Sequence, residues 1–103
     1  YNPEDKNCGC PIEDSDLVEF CKLKELENEV EMQVFTNMEG CQLYTGNGLH
    51  GVTGKNGVKY RKHGAVCLET QCFPDTPNIE SFPSCVLQPG QTMKAKTIYS
   101  FNF

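Results

Sequence analysis

A chain of 103 residues with 14 acidic and 9 basic side chains, and so a formal net charge of −5, is long enough for one domain at most. It contains no run of about 18 apolar residues, which excludes a transmembrane helix, and an acidic chain without a basic tract is poorly suited to bind nucleic acid. We therefore expect neither a membrane nor a nucleic acid among its partners.

Alternation of apolar and polar side chains with a period of two predicts β-strands along most of the chain. The acidic segment 25–29 is typical of a hairpin connection between the first two strands. Asn56-Gly57 predicts a tight type I′ turn, because both central residues of that turn need positive φ. The proline-rich segment 74–83 predicts a loop, since proline cannot lie within a sheet ladder. In chain order, the predicted strands are 17–23, 30–35, 41–45, 58–61, 65–71, 85–87 and 93–103.

The last predicted strand has the clearest pattern, with one apolar face opposed by Lys94, Lys96, Ser100 and Asn102. No segment has ten residues of convincing helical periodicity. Several short strands separated by turn signals are typical of an antiparallel sandwich or barrel. The sequence therefore predicts an all-β fold.

The seven cysteines are the most unusual part of the composition. Their density favours a disulfide framework, so we expect an extracellular or secretory-pathway protein, with the cytoplasm as the alternative. Seven is odd, and pairing within the chain leaves one thiol free or bonded to another chain. The close pairs Cys8-x-Cys10 and Cys67-x4-Cys72 do not form the double knuckle of a structural zinc site. We expect no metal and no cofactor.

Three patches of sequence agree in order and spacing with one known family. They are Gln42-Leu43-Tyr44-Thr45-Gly46-Asn47, then Cys67-Leu68-Glu69-Thr70-Gln71 with the following Phe73-Pro74-Asp75, and Phe82-Pro83-Ser84 with Leu87-Gln88-Pro89-Gly90 and the closing strand. Together they resemble the C-terminal part of the aldose 1-epimerases, the galactose mutarotases. The similarity is clear over 30–103 and weaker towards Tyr1, where Asp5-Lys6-Asn7 stands in place of Asp-His-Asn.

This resemblance implies an antiparallel β-sandwich of the mutarotase-like supersandwich type, with residues 1–103 as its C-terminal third. It also implies interconversion of the α and β anomers of a free hexose of the galactose or glucose class. Glu69 would be the general base, and Asp5 and Gln42 would hydrogen-bond sugar hydroxyls. The histidine that acts as the general acid would belong to the missing N-terminal part of the fold. Because Glu69 is flanked by Cys67 and Leu68, we expect partial burial, which suits a general base.

Two other functions are compatible with parts of the sequence. The first is a secreted carbohydrate- or ligand-binding protein that keeps the sandwich without catalysis. The second is an independent disulfide-stapled domain with an inhibitory or structural role, which requires the motif agreement to be accidental. If the family resemblance is correct, we expect a companion chain to complete the fold, with the odd cysteine as a possible bridge to it.

Overall fold

The structure, a computed structural model, describes residues 13–103, and in that range every regular element longer than one turn is a β-strand. The strands are β1 (Val18–Lys24), β2 (Glu31–Thr36), β3 (Gly40–Tyr44), β4 (Cys67–Gln71) and β5 (Thr97–Asn102). Single turns of 3-10 helix occupy Asp14–Asp16, Lys55–Gly57 and Thr76–Asn78. All strand pairs are antiparallel, so the predicted all-β antiparallel fold is confirmed.

The strands form a three-stranded sheet in the order β1-β2-β5 and a two-stranded ribbon of β3 and β4. The connection between β1 and β2 is the predicted acidic hairpin. In it, the Glu25 carboxylate accepts hydrogen bonds from the backbone N–H groups of Glu27 and Asn28. These bonds hold the pKa of Glu25 below its usual value. Glu29 takes a positive φ of 59° to complete the turn.

Register divides the three-stranded sheet into two unlike faces. Val34 of β2 lies opposite Cys21 on one side and Tyr99 on the other, and side chains directly opposite one another share a face. A β-bulge between Glu19 and Cys21 shifts the alternation, so Val18 stays on the same face as Cys21 despite the odd spacing. We call this the inner face: Val18, Cys21, Leu23, Met32, Val34, Thr36, Thr97, Tyr99 and Phe101.

The β3–β4 ribbon joins the inner face through polar side chains. The Thr70 and Thr97 hydroxyls share a hydrogen bond of 2.6 Å, and the Tyr99 hydroxyl donates to the Leu68 carbonyl at 2.8 Å. Thr97 also lies 3.3 Å from the Thr36 hydroxyl on the central strand. The ribbon therefore turns the face that carries Thr70 towards the inner face, as in a two-layer sandwich.

The segment that precedes β5 differs from the prediction. The predicted strand began at Met93, whereas β5 begins at Thr97. Asn37 accounts for the difference, because its amide donates to the Lys94 carbonyl at 3.1 Å and its oxygen accepts from the Lys96 N–H at 2.9 Å. The Thr36 hydroxyl in addition donates to the Lys96 carbonyl. Side chains at the end of β2 thus form hydrogen bonds with backbone groups that a longer β5 would need for strand pairing.

Two short predicted strands are absent from the described part of the chain. Segment 58–61 forms only one isolated bridge, between Thr53 and Lys59. The predicted turn beside it is confirmed, since Asn56 and Gly57 have φ of 58° and 74°. This hairpin is mostly exposed, and its apolar side chains Val52, Val58 and Tyr60 pack against no other layer of the described residues, which explains why its ladder does not extend. Segment 85–87 pairs with no other described strand.

Very little of the apolar surface is buried. Val34 is the one apolar side chain in residues 13–103 that is fully buried, and Thr36 beside it is also fully buried. The inner-face residues Val18 and Phe101 are 67% and 53% exposed. Within the same range, no helix is long and apolar enough to cross a membrane. The described residues therefore leave much of the inner face uncovered.

Replacing Val34 tests the position of this small core. Val34→Ala removes two fully buried methyl groups, and we expect it to lower the free energy of unfolding by about 2 kcal/mol. Val58→Ala, at a side chain 57% exposed in the 45–66 loop, is the matched control and should change it by less than about 0.5 kcal/mol. Urea unfolding of the native protein measures both. Equal effects would show that Val34 is not the centre of the core.

Candidate active site

The ribbon places two of the three predicted site residues side by side. Gln42 of β3 and Glu69 of β4 are direct cross-strand partners. Opposed side chains in an antiparallel pair have Cβ atoms about 4.5–5.5 Å apart, which lets the amide and the carboxylate act on one small ligand. Asp5, the third predicted residue, lies outside the described residues.

Alternation along β4 directs Glu69 away from the inner face. Thr70, the next residue, bonds to Thr97 on the three-stranded sheet, and successive side chains point to opposite sides of a strand. Glu69 and Gln42 are both exposed. The expected partial burial of Glu69 is therefore not observed, because nothing in the described part of the chain covers this face of the ribbon.

The same face carries polar residues that the sequence prediction did not assign to the site. The pairs Tyr44↔Cys67 and Gly40↔Gln71 lie two residues to either side of the Gln42–Glu69 pair, so their side chains lie on the same face of the ribbon. Tyr44 and Gln71 therefore extend the polar stripe on either side of the pair. Strict two-residue alternation from Gln42 and Glu69 was the sequence signal that identifies them.

The loop between β3 and β4 begins in a fixed geometry. The Tyr44 hydroxyl accepts from the Gly48 N–H at 2.9 Å, and His63 Nδ1 lies 2.9 Å from the Thr45 carbonyl. Gly46 has a φ of 67°, and a Cβ there would lie 2.8 Å from the Ala65 carbonyl oxygen. Glycine is required at this close approach. The loop base therefore holds the start of β4 in register with the end of β3.

The chemistry available on this face is that of a base and a hydrogen-bonding amide. In residues 13–103 the Glu69 carboxylate makes no hydrogen bond or ion pair, so both of its oxygens can accept from a ligand. Gln42 offers a donor and an acceptor, although its Nε2 lies 3.4 Å from the Leu43 carbonyl. No group of three or more His, Cys, Asp or Glu suited to a metal ion occurs in that range. Neither described histidine stands on the ribbon face in the strand register.

The five described cysteines, Cys21, Cys41, Cys67, Cys72 and Cys85, are free thiols. The predicted disulfide framework therefore stays a prediction, and Cys8 and Cys10 lie outside the described residues.

The described strands define an all-β antiparallel protein that carries a polar stripe on two neighbouring strands. Comparison with known proteins narrows this class to one family. The aldose 1-epimerase family profile matches residues 12–100, and the chain belongs to that family. This membership rules out an accidental motif agreement, and with it the independent disulfide-stapled domain.

Individual relatives agree with the family assignment. Galactose mutarotase of Mus musculus is 38% identical over 93 residues, which are 88% of this chain and 27% of that protein. Galactose mutarotase of Homo sapiens is 44% identical over 72 residues, or 69% of this chain and 21% of that protein. Aldose 1-epimerase of Escherichia coli is 30% identical over 77 residues, or 73% and 22%. The chain thus spans about a quarter of the length of the curated relatives it matches.

Proposed function

We propose that this chain carries the general base of an aldose 1-epimerase that interconverts the α and β anomers of a free hexose. The observation that supports this most directly is the pairing of Glu69 with Gln42 on one exposed face of the ribbon, in a chain of the aldose 1-epimerase family. A hexose presents neighbouring hydroxyls that a carboxylate and an amide at this spacing can bind together. The sugar itself, of the galactose or glucose class, is part of the proposal.

In the proposed reaction, Glu69 accepts the proton of the anomeric hydroxyl while the bond between C1 and the ring oxygen breaks. The electrons of that O–H bond form the aldehyde carbonyl, and the ring oxygen receives a proton from a general acid. Rotation about C1–C2 followed by the reverse transfers gives the other anomer, so Glu69 returns the proton it took. Gln42 and Asp5 hold the sugar hydroxyls during the rotation, which keeps the open chain in place.

The general acid would be a histidine from a part of the fold beyond this chain. Two observations support this: the relatives are about three times as long as this chain, and much of the inner face is exposed. We propose that a companion chain supplies the histidine and covers this face, with one of the seven cysteines as a possible link. A non-reducing gel and the intact mass of the native protein would detect it. A single species with the mass of this chain alone would refute the companion chain.

Glu69→Gln tests the assigned base in the native protein. The substitution preserves shape and removes the proton acceptor, so we expect mutarotation of freshly dissolved α-hexose to slow by about 10²-fold or more. Polarimetry measures the rate. Glu80→Gln, at another exposed glutamate, is the control and should leave the rate unchanged. An unaltered rate in Glu69→Gln would remove Glu69 from the mechanism.

A non-catalytic carbohydrate-binding protein is the second candidate. One observation favours it: the described residues place no general acid opposite Glu69 on the ribbon face, where Gln42 is its cross-strand partner. In that case, native protein would bind hexose in a calorimetric titration but would not accelerate mutarotation. Gln42→Ala should weaken such binding, and it distinguishes binding at this face from binding elsewhere.

A further inference from the structure

A second feature lies where β4 ends and is separate from the Gln42–Glu69 pair. A small cleft of about 30 Å³ is lined by Glu39, Cys72, Cys85 and Lys94, among others. A single water molecule needs a cavity of about 10–15 Å³. The cleft therefore has room for about two waters and is far too small for a sugar. Its most reactive lining groups are the two thiols, both half-buried and free.

The loop between the two cysteines folds back on itself, which brings its ends together. Phe73 follows Cys72 directly, and its ring packs against that of Phe82 with centroids 5.0 Å apart. Inside this aromatic contact the buried Thr76 hydroxyl donates to the Phe73 carbonyl, and the Phe82 N–H donates to the Ile79 carbonyl. The contact between the rings therefore brings the two ends of the loop together, and the thiols that flank the loop line the same cleft.

The groups around the Cys72 thiol also indicate that Cys85 lies close to it. Burial raises the pKa of the Cys72 thiol, and the neighbouring Glu39 carboxylate and Cys85 raise that pKa further, partly through a hydrogen bond between Glu39 and the thiol. The charged and titratable groups that face this thiol are Glu39 from the turn before β3, Cys85 from the far end of the loop, and Lys94 from the segment before β5. A higher pKa lowers the thiolate fraction of Cys72 and so slows its reaction with a disulfide.

We propose that Cys72 and Cys85 are a site of reversible disulfide formation that closes the 73–84 loop. The oxidant is a small-molecule disulfide such as oxidised glutathione. The Cys72 thiolate attacks one glutathione sulfur and releases one glutathione thiolate, and the Cys85 thiolate then attacks the Cys72 sulfur and releases the second. The two cysteines lose two electrons and two protons, and one glutathione disulfide becomes two thiols. The new bond ties the end of β4, three residues beyond Glu69, to the segment that lines the cleft.

Peptide mapping tests the pairing without relying on any variant. The native protein is equilibrated with oxidised glutathione, its remaining thiols are blocked with N-ethylmaleimide at mildly acidic pH, and it is cleaved after glutamate without reduction. Cleavage after Glu69 and Glu80 separates Cys72, in peptide 70–80, from Cys85, in peptide 81–103. We expect these two peptides as one cross-linked species by mass spectrometry. Alkylation of both cysteines, or a bond from either one to another cysteine, would overturn the proposal.

Variants add a check on specificity. Cys72→Ser and Cys85→Ser should each abolish the cross-linked species and leave the other cysteine as a glutathione mixed disulfide. Cys67→Ser removes the thiol of the first residue of β4, on the face that carries Glu69, and should leave the cross-link intact. Loss of the cross-link in Cys67→Ser would show that the pairing is not governed by the cleft.

Glu39→Gln tests the environment of the thiol. Removing the carboxylate charge should lower the pKa of Cys72, so its alkylation by iodoacetamide at neutral pH should become several-fold faster. The rate should also reach its plateau at a lower pH than in the native protein. Glu80→Gln, an exposed glutamate within the same loop, is the control and should leave the pH profile unchanged. An unchanged profile in Glu39→Gln would contradict the placement of Cys72 in this cleft.

Discussion

The central strand β2 is hydrogen-bonded along both edges, and its register fixes which side chains of β1 and β5 face the ribbon. A slip of one residue would move Val34 to the outer face and bring Phe35 and Gln33 inward, because side chains alternate with a period of two. Among residues 13–103, the two fully buried side chains, Val34 and Thr36, both lie on this strand. The remaining contacts are built around them.

Thr36 connects the layers at the end of that strand. Its hydroxyl donates to the Lys96 carbonyl, accepts from the Met38 N–H and lies close to the Thr97 hydroxyl, which in turn bonds to Thr70 of the ribbon. A buried hydroxyl costs stability unless its hydrogen-bonding capacity is used. This short network satisfies it and sets the position of β4, and through β4 the position of Glu69. The candidate site is therefore located by polar contacts as much as by apolar packing.

Residue patterns predicted the strands whose partners are close in sequence or whose alternation is strict. β1, β2 and their acidic connection follow from period-two alternation, and the Asn56-Gly57 turn follows from its demand for positive φ. The late start of β5 could not be predicted, because it depends on Asn37, a residue distant in sequence. The Asn37 side chain makes hydrogen bonds to the backbone of Lys94 and Lys96. The pairing of Gln42 with Glu69 likewise depends on register across a long loop, which only the fold specifies.

The exposure of Glu69 has a consequence for how such a site can work. A carboxylate in contact with water is well solvated, and its electrostatic interactions with a substrate are weak. The same interactions are much stronger where water is excluded. The ribbon face provides the carboxylate and its amide neighbour but no cover. The inner face behind it shows the same incompleteness, since Val18 and Phe101 remain more than half exposed. Within residues 13–103, the ribbon face that carries Glu69 has no covering layer, and the ribbon covers only part of the inner face, so water reaches both the carboxylate and the margin of the core.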